Sequence, residues 1–182
     1  MGIALLILLH TKRFFRIDQM AKETILLLDK ENHVQWTLKT ILESEKYIVL
    51  PVDTIERALQ NFREFEVSGF ITEYQVDHNH TPEVIRQLKK DFPELYVMML
   101  THEDLDEREY KKIIGAGIDD LFLKPVASEK ILIHLKKGLR HRKVLLERKR
   151  LQERLNQLKM NRDVREVALG EGLSHRKSFT VR

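Results

Sequence analysis

Residues 24–28 read TILLL and run straight into Asp29, Lys30 and Glu31. A continuous apolar run cut off by charge is expected of a strand buried on both faces of a parallel sheet, with polar groups gathered at its carboxyl end. Working outward, Val34, Leu38, Ile41 and Leu42 recur at helical spacing between His33 and Lys46, with Trp36 alongside, which predicts a helix returning across the sheet. Tyr47 to Val52 reads as a second strand and Thr54 to Phe65 as a second helix, with Ile55, Ala58, Leu59 and Phe62 as its apolar face. Gly69 to Thr72 supplies a short third strand ending at Glu73.

Thr81, Pro82 and Glu83 combine a hydroxyl cap, a proline in the first turn and an acid near the positive end of the dipole, so a third helix is expected from there to about Asp91. Leu95 to Leu100 (LYVMML) is a further apolar strand ending at Thr101, and a fourth helix is expected from about Asp104 to Ile114, stopping at Gly115-Ala116-Gly117. Asp120 to Leu123 reads as the last strand, closed by Lys124-Pro125. Ser128 opens a last amphipathic helix whose core-facing residues are Ile131, Leu132 and Leu135.

Five strands alternating with five helices predict an α/β fold, a five-stranded parallel doubly wound sheet of the flavodoxin-like class, followed by a C-terminal helical extension. No Gly-rich phosphate loop follows any strand, which disfavours dinucleotide binding. The 182 residues, 42% of them apolar and 33% charged, suffice for one cored domain with length left over. The expected division is an N-terminal extension over residues 1–21, a domain over 22–139, a charged helical linker over 140–162 and a tail over 163–182. The apolar run Ile3 to Leu9 is too short to span a bilayer, and its positive charges follow it, unlike those of a signal peptide.

The absence of cysteine excludes disulfides and thiolate chemistry and makes a reducing cytoplasm the expected setting. The net charge of +4 is concentrated in Arg140, Arg142, Lys143, Arg148, Lys149 and Arg150, on one predicted helix. A solvated helix face is the reading preferred there, with a nucleic-acid phosphate surface as the alternative.

In sheets of this kind chemistry collects at the carboxyl ends of the strands, where strand order reverses. Those ends carry Asp29, Lys30 and Glu31, then Glu73, Thr101 and Lys124, in the contexts LLLDKEN, FITEYQV, MMLT and FLKPV. This succession strongly resembles the receiver domains of response regulators, over about residues 22–139. The resemblance implies a domain that takes a phosphoryl group from a histidine kinase onto an aspartate at the end of the third strand. Magnesium would be held by that aspartate and an acidic pair after the first strand, and a hydroxyl and a lysine would contact the phosphoryl oxygens. By resemblance, Asp29 is the first acid, Lys30 stands where the second belongs, Glu73 stands at the acceptor, Thr101 is the hydroxyl and Lys124 the lysine.

Two of these five positions depart from the family. Lys30 removes one carboxylate and puts a cation where a dication should bind; at about 4 Å and an effective dielectric of about 20 the opposition is roughly 8 kcal/mol before relaxation. Glu31 is expected to compensate only in part. Glu73 is one methylene longer than aspartate, and a misplacement of about 1 Å costs on the order of 100-fold in an in-line transfer. Its carboxylate is expected instead to pair with Lys124, with Lys30 as a second candidate, replacing the charge of phosphate and magnesium. Taken singly, Asp29 and Glu31 could equally cap the first helix, Thr101 the fourth, and Lys124 serve as a surface charge; jointly the pocket reading prevails. Asp29 and Glu73 are the ligands expected if magnesium binds at all, and no other cofactor is expected.

The loop after Glu73 holds His78 and His80, read as solvated in preference to metal-binding. His102 follows Thr101 where the family often has a small gating residue, and reads equally as restricting access or as a partly exposed histidine with no special role; Leu121 occupies the family's aromatic switch position. Beyond Leu139, Val144, Leu151, Leu155 and Leu158 partly match a heptad that Arg148 interrupts. The stretch from Gly172, GLSHRKSFTVR, resembles the opening of a diguanylate cyclase domain in a short, degenerate way and contains no catalytic motif. The function expected is a non-enzymatic pseudo-receiver acting through protein contacts with a sensor kinase or an output protein. It would homodimerise through the fourth and fifth helices or the extension. A functioning, atypical phosphoacceptor driving an output domain is the alternative.

Overall fold

A computed structural model describes residues 22–76, 79–102 and 104–176. In chain order the elements are β1 (Thr24–Leu28), α1 (Asn32–Ser44), β2 (Ile48–Val52), α2 (Ile55–Glu64), β3 (Gly69–Glu73), β4 (Gln75–Val76), β5 (Asn79–His80), α3 (Thr81–Asp91), β6 (Tyr96–Thr101), α4 (Glu107–Ala116), β7 (Asp120–Leu123) and α5 (Ser128–Arg176). Five of the strands form one parallel sheet in the order β2-β1-β3-β6-β7. Strand order reverses between β1 and β3, so Asp29 and Glu73 leave the sheet side by side.

The apolar runs are continuous because the sheet is covered on both sides. Leu26, Leu28, Phe70, Val97 and Met99 face one layer with Ala58 and Phe62 of α2, Ile85 and Leu88 of α3, and Ile113 and Ala116 of α4. Their alternates Ile25, Leu27, Ile71, Met98 and Leu100 face the other, with Leu38 and Leu42 of α1 and Ile131, Leu135 and Leu139 of α5. The edge strand β2 pairs with β1 in the register Leu27 with Pro51, and its Pro51 is exposed. The chain forms two compact units, one ending at Leu139 and the other beginning at Arg140. Within the second, Val144, Leu151, Leu155 and Leu158 are exposed. The Gly172-Leu173 pair lies within the last turns of α5, and residues 1–21 and 177–182 are outside the described residues. Among the described residues no helix is long and apolar enough to cross a membrane.

Three local expectations are corrected. The segment after Glu73 is a small antiparallel hairpin, β4 with β5. It returns Thr81 beneath the end of β3, so the Thr81 hydroxyl donates to the backbone oxygens of Glu73 (2.6 Å) and Tyr74 (3.1 Å) instead of capping α3. The position before that helix is His80, with no side-chain cap bond. Helix α4 begins later than expected because Asp106 and Glu109 close a capping box. It then continues through Gly115 and Ala116, ending where Gly117 takes φ 83°.

Helix α1 ends on a non-glycine residue at positive φ, Lys46 at 69°. An L side chain in this region is strained, and a glycine is not. Lys46→Gly is expected to stabilise the domain by about 1 kcal/mol, read as a higher urea midpoint at unchanged slope. An unchanged or lowered midpoint would show that the side chain contributes more than its backbone strain costs.

Candidate functional site: a carboxylate cluster closed on one lysine

The carboxyl ends of β1, β3, β6 and β7 bring Asp29, Glu73, Thr101 and Lys124 together. Gln35, in the first turns of α1, fixes the β1 end by donating from Nε2 to the backbone oxygens of Asp29 (2.5 Å) and Val52 (2.8 Å). Nothing in the residue pattern marked Gln35; its role depends on α1 starting directly above the strand ends. Asp29 is wholly buried, and its Oδ1 accepts the Glu31 N–H at 2.8 Å, turning the chain sharply after β1.

That turn delivers the Glu31 carboxylate into the site. The Lys124 ammonium donates to Asp29 Oδ2 at 2.7 Å, Glu73 Oε1 at 2.6 Å and Glu31 Oε1 at 3.1 Å. Lys124 is itself held by its backbone N–H, which donates to the Thr101 oxygen at 2.7 Å. Glu73 Oε2 accepts the backbone N–H of Lys30 at 3.3 Å. Lys30 is exposed and gives the cluster its backbone amide, and Glu31 stands beside Asp29 as the second carboxylate. His102 joins from the end of β6, its Nε2 2.8 Å from Glu31 Oε1 and 3.8 Å from Glu73 Oε1.

Burial pushes the Asp29 carboxyl above its ordinary value, against the pull of the Lys124 hydrogen bond. Burial likewise acts to lower the Lys124 ammonium, but the hydrogen bonds it donates to Asp29 and Glu73 outweigh it and hold the amine above the ordinary lysine range. Lys124 is therefore charged at neutral pH, which is the direction that decides the site. Hydrogen bonding from His102, then from Lys124, holds the Glu31 carboxyl below its ordinary value.

Leu121 is half-buried against the core layer of α2, α3 and α4 and takes no part in the cluster. His80 is exposed with its ring 5.0 Å from that of Tyr74, and His78, its proposed companion, lies outside the described residues.

Magnesium, which the family resemblance implies, does not fit this arrangement. It wants near-octahedral oxygen ligation. Position 30 offers no carboxylate, both Asp29 oxygens are engaged, and an ammonium lies within hydrogen-bonding distance of three carboxylates. A phosphoryl anion entering here would meet those carboxylates with their shared cation already committed.

Residues 25–136 match the family model for the response regulator receiver domain. No curated protein matches the chain. Among solved structures, the signal receiver domain of an HD domain-containing protein from Pseudomonas fluorescens Pf-5 superposes with a TM-score of 0.63 at 22% identity, over 68% of this chain and 99% of that one. A CheY-like receiver domain from Methanospirillum hungatei JF-1 gives 0.64 at 21% identity, over 68% and 98%. The beryllofluoride-activated NtrC4 receiver domain dimer gives 0.61 at 21% identity, over 65% and 98%. With the sheet order, the strand-end residues and the family model in agreement, the chain belongs to the response regulator receiver domain family.

Proposed function

We propose that this receiver domain is a pseudo-receiver, signalling through protein contacts without aspartyl phosphorylation and without enzymatic activity of its own. The observation that supports this best is the commitment of Lys124 to Asp29, Glu31 and Glu73 at once. The ammonium that would otherwise meet a phosphoryl group already stabilises the pocket, and the acceptor position carries the longer Glu73. The domain then rests in one state, set by its own charges.

Its partners in this reading are a sensor kinase or an output protein, in the cytoplasm, with nucleic acid disfavoured. A homodimer through α4 and α5 or through the extension is supported by the exposed Val144, Leu151, Leu155 and Leu158, and by the dimeric state of the NtrC4 neighbour. The extension would carry the signal onward, toward an output domain of the kind the Gly172 stretch resembles. One observation favours the second reading, an atypical phosphoacceptor: Glu73 keeps a carboxylate at the end of β3, with Thr101 and Lys124 in the family's places.

Intact mass after incubation with acetyl phosphate and magnesium separates the two. The parent is expected to gain no phosphoryl group, while Glu73→Asp, alone or with Lys30→Asp, gains one. A label on the parent that disappears in Glu73→Ala would overturn the pseudo-receiver reading and establish the second.

A further inference from the structure

We propose that the stripe Val144, Leu151, Leu155 and Leu158 on α5 is a dimer seam that takes the same stripe of a second copy in antiparallel orientation. Each of these side chains is more than half exposed, and all lie in the compact unit that begins at Arg140. At 3.6 residues per turn they fall within about 60° of arc on the helix. A helix that folds back onto a globular body presents an apolar face of about 100° or more, whereas the seam between two helices is narrow. The inference rests on the homodimer reading above and adds to it the surface and the direction of pairing.

Charge decides the direction. Val144, Leu151 and Leu158 form one row of the seam at seven-residue spacing, and His141, Arg148, Leu155 and Arg162 form the other. Two parallel copies in register would set every seam residue against its own twin. The leucines would meet, but Arg148 would also face Arg148 and Arg162 would face Arg162, while Arg154 would flank Lys159 of the second copy. Like charges placed so close oppose association. Between Arg140 and Arg162 the helix carries nine lysines and arginines against two glutamates, so parallel pairing also lays one basic cluster along the other.

Antiparallel pairing removes these conflicts. With Val144 opposite Leu155 of the second copy, Arg148 stands opposite Leu151 and His141 opposite Leu158, each pairing made twice by the two-fold symmetry. The Arg148 stem then covers a leucine while its guanidinium stays in water. On the flank, Glu147 lies beside Arg154 of the second copy, which gives two opposite-charge pairs where parallel pairing gives two repulsive ones. Arg142 and Lys143 lie alongside Asn156 and Gln157 instead of their twins. Such a seam has a receiver domain entering at each end, which a parallel pair does not allow.

The test is disulfide trapping in the full-length protein, whose sequence holds no cysteine, so an introduced one reports alone. Under mild oxidation a mixture of Val144→Cys and Leu155→Cys chains is expected to give the mixed disulfide, identified by intact mass, while neither variant alone forms a covalent dimer, because their Cα atoms would stand about 16 Å from their twins. Sedimentation equilibrium at low salt supplies the second reading. Arg154→Glu should weaken the dimer about fivefold, and adding Glu147→Arg to it should restore the parent affinity to within about twofold, all with parent-like circular dichroism. Self-disulfides in the single variants without the mixed one, or a tighter dimer in Arg154→Glu, would establish parallel pairing and overturn the inference. A dimer indifferent to Leu151→Asp would overturn it and leave the homodimer reading to the surface of α4 and the start of α5. A parent monomeric up to about 0.5 mM would overturn both.

Discussion

Lys124→Ala is expected to lower the unfolding free energy by about 3–5 kcal/mol at pH 7, the usual result of removing one partner from a buried ionic cluster. The lysine side chain is 6% exposed and that of Asp29 0%, so water cannot substitute for the missing ammonium at the deepest contact. The pH dependence follows from the shifts. Lys124 is held above its ordinary value, so its stabilisation is fully present below the unfolded lysine value of 10.5 and fades as pH rises through the higher folded one. Glu31 is held below its ordinary value of 4.5, so its contribution is present above that value and is lost as pH falls through the lower folded one. Asp29 runs opposite: burial favours its protonated form, and its contribution declines as pH rises through its raised value. Acidification of the variant lets Asp29 take up a proton and relieves the unpaired charge. Urea unfolding should therefore show the gap between parent and variant widest near neutrality and narrower below about pH 5. A loss under about 1 kcal/mol at pH 7 would mean that the cluster is hydrated and weakly coupled.

Gly138→Ala is expected to cost roughly 2–3 kcal/mol, although alanine is the better helix former by about 1 kcal/mol. A methyl group at position 138 would stand 2.1, 2.2 and 2.6 Å from three ring atoms of Tyr96. The ring has nowhere to go: it is 4% exposed, and its hydroxyl donates to Asp120 Oδ2 at 2.5 Å. Burial pushes the Tyr96 phenol far above its ordinary value, and Asp120 adds to this, so it stays a neutral donor across the working range. Asp120 is held in turn by His134 of α5, 2.8 Å from its other oxygen. The last turns of α5 before Leu139 would have to lift off the sheet. Tyr96→Leu should recover part of the loss when combined with Gly138→Ala, giving a non-zero coupling in a double-mutant cycle. Strict additivity would show that the clash is absorbed elsewhere.

The sheet was legible because β1 and β6 are buried on both faces and therefore read as unbroken apolar runs. The helices were legible where one face carries the core, as with Ala58 and Phe62. The cluster was legible as to which strand ends supply it, since each of those strands ends on its polar residue or immediately before it. The reach of side chains after those ends was not. Glu31 stands two residues beyond Asp29, and its direction depends on the bond from its own N–H to the Asp29 carboxylate. His102 read equally as a gate or as a histidine with no special role and is a partner of Glu31, a relation between residues 71 positions apart that local spacing cannot express. The β4–β5 hairpin escaped notice because two-residue strands leave no period to detect, and the role of Thr81 was hidden with it.

The register of Leu27 with Pro51 has a consequence for how copies of this domain can meet. The Ile48 N–H donates to Glu23 and the Val52 oxygen accepts from Asp29, so even-numbered residues of β2 turn their backbone toward β1. Pro51 therefore faces the open margin of the sheet, where an added strand would look for an amide hydrogen and find a ring. This edge of the sheet, one of two, is blunted at Pro51. A second copy adding a strand along β2 would therefore lose one ladder hydrogen bond at Pro51.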